Sequence, residues 1–262
     1  LMVTHDPKAA GKAHRIVRLS AAGEFKNSLN FEGAPAPSSF VIKSFAMDAA
    51  DAVYALDVFA GRVLVVDAQD KFLRVLPFPD GFGFAADVAV DDSGSVLLLD
   101  ATKRRIYVAD KEAKAFTRVG GDLSETIATL PTYLTSSKGT TFIVEGPGSR
   151  IVSLRRDGTF LSRALSAGQE DGSLNQPAQL CINDKDEVFV ADRDNNRIQI
   201  FDQDGSFLEQ WTQFGRPSGL HIAADDTLYV SDNQSNDERH PGWPRGIYVG
   251  RAKDGSVRAF LP

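Results

Sequence analysis

A unit of short apolar runs, closed by an acid and reopened by an arginine, recurs along this chain about every 40 to 50 residues. Its clearest copy is FVADRDNNRIQIFDQDGSFL, residues 189–208. An apolar run ends in Asp192, and four residues of tight-turn character follow. Arg197 and Ile198 open a second alternating run. An Asp204-Gly205 turn then leads to a third run beginning at Phe207. Alternation broken by such turns reads as three antiparallel strands.

The same order of residues returns elsewhere. Asp57 precedes Arg62 and Phe72, Asp100 precedes Arg105 and Phe116, and Glu145 precedes Arg150 and Phe160. Asp232 precedes Arg245 and Ile247 after an insertion, and Asp6 precedes Arg15 and Phe25. A further apolar run stands in front of five copies, at 45–47, 88–90, 133–135, 180–182 and 220–222. Four strands per repeat at this period make one propeller blade. The expectation is an all-β, six-bladed propeller of four-stranded antiparallel blades, with five full blades and an incomplete one at the N-terminus. The blades fall at 1–30 (partial), 41–76, 84–119, 130–165, 177–211 and 217–262. The partial blade lacks its innermost strand, and an open inner edge is unfavourable, so either a strand from upstream of Leu1, the favoured expectation, or the C-terminus completes the ring.

The connections carry their own signals. Residues 31–40 are proline-rich, 120–128 suit a short helical turn, and 166–176 form a long polar connection. The insertion 233–246, NQSNDERHPGWPRG, is the longest irregular piece.

Composition narrows the function. Twenty-nine basic and 35 acidic residues give a formal charge of −6, with signs interspersed, which speaks against a broad nucleic-acid surface. No apolar run is long enough for a membrane-spanning helix. The single cysteine, Cys181, excludes an intrachain disulfide and reads as a buried, inert thiol. There is no glycine-rich phosphate loop and no nucleophile elbow.

The 189–208 copy resembles the NHL repeat, a family that builds six-bladed β-propellers. The last blade, GRPSGLHIAADDTLYVSDNQSN followed by PGWPRGIYVG and AKDGSV, is similar to that of bacterial propellers of the peptidyl-α-hydroxyglycine α-amidating lyase type. That resemblance implies a metal-dependent lyase, with a zinc ion held by histidines in the central channel. Two of those histidines follow the proline that opens an inner strand. Here Thr132, Ala178 and Ser218 follow Pro131, Pro177 and Pro217, and none is a usual zinc ligand. Bacterial relatives of the last blade imply a periplasmic or secreted setting.

Three groups of residues compete as sites. Asp57, Asp100, Glu145, Asp192 and Asp232, with Asp6, end equivalent strands at one rim, and such carboxylates could hold a hard cation such as Ca²⁺. The alternative is that each closes its own turn by accepting backbone N–H groups and pairing with its own arginine: Arg62, Arg105, Arg150 or Arg197. His221 stands in an inner strand where other blades carry Ala46, Ala89, Thr135 and Cys181. It either faces the channel toward a ligand or is a packed, hydrogen-bonded histidine. The third group is the channel-mouth face itself: Lys43, Thr132, Tyr133, Gln179, Arg193, Asn195, Ser218, His221, Asn233 and Trp243. Its polar, mixed-charge, partly aromatic character suits a protein, a peptide or a small-molecule ligand. Trp243 either anchors such a partner or is a lid pinned on the last blade.

The residues therefore favour a rigid binding platform. The alternative is a metal-dependent lyase or hydrolase of the amidating-lyase or gluconolactonase-like type with its site in the channel. No catalytic residue or metal ligand is assigned, and Ca²⁺ or Zn²⁺ is the cofactor the alternatives would use.

Overall fold

A computed structural model describes residues 2–5, 14–20, 23–37, 40–121, 123–164 and 166–262. The chain divides into two compact units. One comprises 1–125, 134–141 and 155–159, and the other 126–133, 142–154 and 160–262.

The first unit opens with β1 (Met2–His5), β2 (His14–Leu19) and β3 (Phe25–Ser28), an antiparallel three-stranded sheet in chain order. Two four-stranded blades follow. The first is β4 (Ile42–Met47), β5 (Val53–Asp57), β6 (Arg62–Val66) and β7 (Phe72–Pro77). The second is β8 (Ala85–Val90), β9 (Val96–Asp100), β10 (Arg105–Ala109) and β11 (Thr117–Val119). The next blade supplies segments to both units: β12 (Tyr133–Ser137), β13 (Thr140–Glu145), β14 (Arg150–Arg155) and β15 (Phe160–Ala164).

The second unit continues with a short parallel pair, β16 (Ser166–Ala167) and β17 (Ser173–Leu174). Its first whole blade is β18 (Leu180–Ile182), β19 (Val188–Asp192), β20 (Arg197–Phe201) and β21 (Phe207–Trp211), with a 3₁₀ turn at Arg193–Asn195. Its last is β22 (Gly219–Ile222), β23 (Thr227–Asp232), β24 (Gly246–Arg251) and β25 (Val257–Leu261).

The architecture is all-β, of four-stranded antiparallel blades. Five such blades stand among the described residues, not six, and the N-terminal sheet has three strands. Residues 120–121 and 123–128 form turns and bends rather than a helical turn, and the 166–176 connection carries the β16/β17 pair. Asp6 and the side chains of His5 and His14 lie outside what the structure describes. Among the described residues no helix is long and apolar enough to cross a membrane.

The two middle strands of most blades are apolar on both faces because both faces are covered. Every residue of β5, β6, β9, β19 and β20 is buried. In the first unit, Tyr54, Leu56, Val63, Leu98 and Tyr107 share one cluster. In the second, Phe189, Ile198, Trp211, Phe214 and Val230 share another, with the Phe189 and Trp211 rings edge-on at 5.5 Å. A fully buried side chain of this kind stabilises by about 1.5–3 kcal/mol. The turns between third and fourth strands follow from side-chain chemistry: Asp202 Oδ1 accepts the N–H groups of Asp204 (3.0 Å) and Ser206 (2.8 Å), and Gly205 takes φ +86°.

Candidate functional site

The acids that define the repeat each end the second strand of a blade, and all five described ones are buried, none more than 2% exposed. What they bind is largely backbone. Asp57 Oδ1 accepts Val41 N–H at 3.1 Å, and Asp100 Oδ2 accepts Gly83 N–H at 2.7 Å. Glu145 Oε2 accepts Thr129 N–H at 2.7 Å, Asp192 Oδ1 accepts Asn175 N–H at 2.7 Å, and Asp232 Oδ2 accepts Arg216 N–H at 2.8 Å. Each donor lies 16 or 17 residues upstream, on the chain entering that blade's innermost strand. The carboxylate therefore clamps the incoming connection to its own blade. A charge-assisted bond of this kind is about twice as strong as a neutral one.

The arginines complete three of the five sites. Arg62 Nε donates to Asp57 at 3.0 Å, Arg197 Nε to Asp192 at 2.7 Å, and an Arg150 terminal nitrogen to Glu145 at 2.8 Å. Arg105 differs. It faces Asp100 across the ladder, yet its Nε has no hydrogen-bond partner, and Asp100 Oδ1 takes Lys103 N–H at 2.9 Å. The last blade differs too. Ser235 Oγ donates to Asp232 at 2.5 Å, while Arg245 Nε donates to Ser235 O at 2.6 Å. Gly246 stands opposite Asp232 in the ladder, where other blades have an arginine, and a serine takes the arginine's place.

Among the described residues no three or more His, Cys, Asp or Glu side chains are grouped to hold a metal ion.

The rim residues separate by unit. Lys43, in the first, stands at a bulge in β4 and donates its ammonium to Ala85 O at 2.8 Å, with Nζ 4.3 Å from the Phe84 ring centroid. Its outer surface is open, but desolvation of the ammonium end lowers its pKa, against an opposing pull from Asp87. The others belong to the second unit. Arg193 and Asn195 gather at Asp192: Asn195 Nδ2 donates to Asp192 Oδ2 at 2.9 Å, and Arg193 Nε pairs with Asp194 at 3.1 Å. Ser218 Oγ donates to Ser231 O at 2.9 Å, and Thr132 Oγ1 to Val144 O at 3.3 Å. Tyr133 packs beside Phe142 and Val188. His221 lies opposite Tyr229 with ring centroids 6.3 Å apart, and burial lowers its pKa although an edge of the residue is exposed. Cys181, at the same register as His221, is half-buried rather than fully buried, and burial pushes its thiol pKa well up.

Two side chains stitch neighbouring inner strands together, a role the repeat pattern does not reveal. Gln179 Oε1 accepts Leu220 N–H at 2.9 Å in the second unit. Asp87 Oδ2 accepts Leu134 N–H at 3.2 Å in the first. Asp87 and Gln179 hold equivalent registers, each opposite or beside the residue that precedes its blade's acid. Burial pushes the Asp87 pKa up to about 6, opposed by the Leu134 N–H and the Lys43 ammonium.

The 233–246 insertion is ordered by its own contacts. Asn233 is exposed. His240 stacks on Trp243 at 5.0 Å and 12°, and Trp243 meets Tyr248 at 5.8 Å. Tyr248 in turn donates its hydroxyl to Pro244 O at 2.9 Å. Trp243 is thus half-buried against the last blade, while Arg239, Pro241, Pro244 and Arg245 around it are exposed.

Residues 174–201 match the model of the NHL repeat. A 43-residue stretch is 49% identical to Protein lin-41 of Caenorhabditis elegans, covering 16% of this chain and 4% of that protein. A 100-residue stretch is 35% identical to NHL repeat-containing protein 3 of Homo sapiens, covering 35% of this chain and 28% of that one. The chain therefore matches less than a third of the length of either relative. In three dimensions it is similar to a streptogramin B lyase structure, with a TM-score of 0.68 at 11% identity, over 99% of this chain and 82% of the other. That likeness shows the fold, a β-propeller, and the fold alone.

Proposed function

We propose that this chain is a rigid platform that binds a protein or peptide partner through the loops at the acid-bearing ends of its blades, with the 233–246 insertion as a principal contact. The observation that carries this reading is the preformed His240–Trp243 stack. An aromatic held in place before binding loses little conformational entropy on contact, and tryptophan and arginine are the side chains that most often dominate such interfaces. The buried acids support the same reading, because they spend their hydrogen-bonding capacity on the backbone and so stiffen the loops they close.

The test is selection from a displayed peptide library, followed by titration of selected peptides against the wild type and Trp243→Ala. Sequence-specific binding that falls with Trp243→Ala supports the platform. Failure to enrich any peptide over a scrambled pool, with correctly folded protein, would sink it. Stoichiometric zinc or calcium in protein purified without chelator would favour the metal-dependent lyase or hydrolase alternative instead.

A further inference from the structure

Within the first unit, the connection into β8 reads PFPDGFGF over 77–84, the most aromatic segment of the chain. Its inner half is used for packing. Phe82 meets Phe78 at 4.7 Å and Tyr107 at 5.4 Å. Its outer half is not: Phe84 is 53% exposed, although a large aromatic is ordinarily covered. Phe59, in the turn after Asp57 at the same end of the adjoining blade, is 63% exposed.

One ammonium group is fixed over Phe84 and a second at Gly81, three residues before it in the same segment. Lys43 Nζ is held on Ala85 O and over the Phe84 face. Lys103 Nζ is held on Gly81 O. Each carbonyl accepts one of a lysine's three N–H donors and leaves the others for a ligand. The segment between them cannot swing away. Gly83 N–H is bound to Asp100, and a Cβ on Gly83 would fall 2.7 Å from Asp100 Oδ1 and 2.8 Å from Thr102 Cβ. Of the neighbouring carboxylates, Asp57 is paired with Arg62, Asp87 and Asp100 are buried with their oxygens on backbone N–H groups, and Asp80 is the exposed acid of the segment, so the groups offered beside the exposed aromatic are the ammonium donors. Ammonium donors held beside an exposed aromatic, on a chain of formal charge −6, favour a carboxylate-bearing partner at this point.

We infer that Phe84, flanked by Lys43 and Lys103, is the docking point for an acidic peptide segment carrying an apolar side chain. The apolar side chain packs on Phe84, and its flanking carboxylates take the free donors of the two lysines. The inference rests on the platform reading and adds a second contact with its own partner chemistry.

The probe is a dye-labelled peptide of alternating Glu and Leu, titrated by fluorescence anisotropy. Its Lys-for-Glu counterpart and a labelled oligouridylate of equal charge serve as comparisons. The acidic peptide is expected to bind more tightly than either, and to weaken as salt rises from about 0.05 to about 0.5 M. Phe84→Ala, Lys43→Gln and Lys103→Gln should each weaken it about tenfold, as for one lost charge-assisted or packing contact. Lys185→Gln, at an exposed lysine of the other unit, should leave it unchanged. Unchanged thermal melts confirm that the variants fold. Absence of binding, indifference to the three substitutions, or tighter binding of the oligouridylate would each overturn the inference. If binding is lost in Trp243→Ala but not in Phe84→Ala, the platform stands and this docking point falls.

Discussion

Arg197 Nε lies 2.7 Å from Asp192 Oδ2, with both side chains almost fully buried. The rest of the guanidinium is also engaged, on Glu170 O at 2.9 Å, Ser173 O at 3.0 Å and Gln210 Oε1 at 2.8 Å. One arginine thus ties the acid, the 166–176 connection and the outer strand β21 together. Arg197→Ala leaves a buried carboxylate without its counter-charge and removes a donor from Glu170 O, Ser173 O and Gln210 Oε1. A loss of about 3–5 kcal/mol is expected, read from urea unfolding. A midpoint equal to wild type would show that the pairing carries no stability.

Gly215 has φ +69°, and a Cβ built there would sit 2.5 Å from Asp232 Oδ2. Gly215→Ala combines a left-handed backbone with an approach to the carboxylate that no side chain tolerates. It should destabilise by at least about 1–3 kcal/mol in thermal or urea melts. A variant as stable as wild type would show that the Asp232 loop can shift freely.

Asp87 makes the opposite kind of prediction. Its folded-state pKa is raised from 3.8 to about 6, so the folded protein holds a proton there that the unfolded chain has lost. Its contribution favours folding at low pH and declines as pH rises between about 4 and 6. Above that range the charged form costs up to about 3 kcal/mol, at 1.36 kcal/mol per unit. Asp87→Asn keeps an oxygen for Leu134 N–H and removes the charge. It should therefore be at least as stable as wild type at pH 7, with the difference shrinking toward pH 4. A variant less stable at pH 7 would show that the Lys43 ammonium outweighs the desolvation.

His240 reports on the insertion. Desolvation comes first and Arg216 adds to it, and together they hold the imidazole pKa below 6.5 against the opposing pull of Asp232. An imidazolium stacked on indole quenches its fluorescence. Emission from Trp243, isolated in a Trp211→Phe background, should fall with a midpoint below pH 6.5. A His240→Gln companion should show no such titration. Because the folded pKa is lowered, the contribution of His240 to stability is present above the unfolded value near 6.5 and is lost as pH falls from there through the lowered folded value. An emission change centred above 6.5 would contradict the packing around the stack.

Much of the blade architecture is legible in the sequence because its causes are side-chain properties. Apolar, β-branched runs place β5, β6, β9, β19 and β20, and the Asp204-Gly205 turn places the β20–β21 hairpin. The inner strands begin earlier than their apolar runs suggest. β4 and β8 start at Ile42 and Ala85 and pass through bulges at Lys43 and Ala86, which break the two-residue period that betrays a strand. The site is less legible. The clamp on Val41, Gly83, Thr129, Asn175 and Arg216 uses backbone N–H groups, and these carry no residue identity. A constant spacing of 16 to 17 residues from each acid was the available sign. The acid–arginine spacing alone does not distinguish Arg105, whose Nε finds no partner, from Arg62 and Arg197, which do.

Each acid grips the chain that enters its blade, and that grip does not depend on the length of the segment that follows the acid. The last blade already exploits this: Asp232 keeps its grip on Arg216 N–H while fourteen residues, 233–246, replace the short turn found in the other blades. Foreign sequences should therefore be transplantable between the carboxylate and the following strand, with a serine three positions on standing in for the missing guanidinium. The molecule would then serve as a scaffold for loop libraries whose members differ in what they recognise but share one melting behaviour.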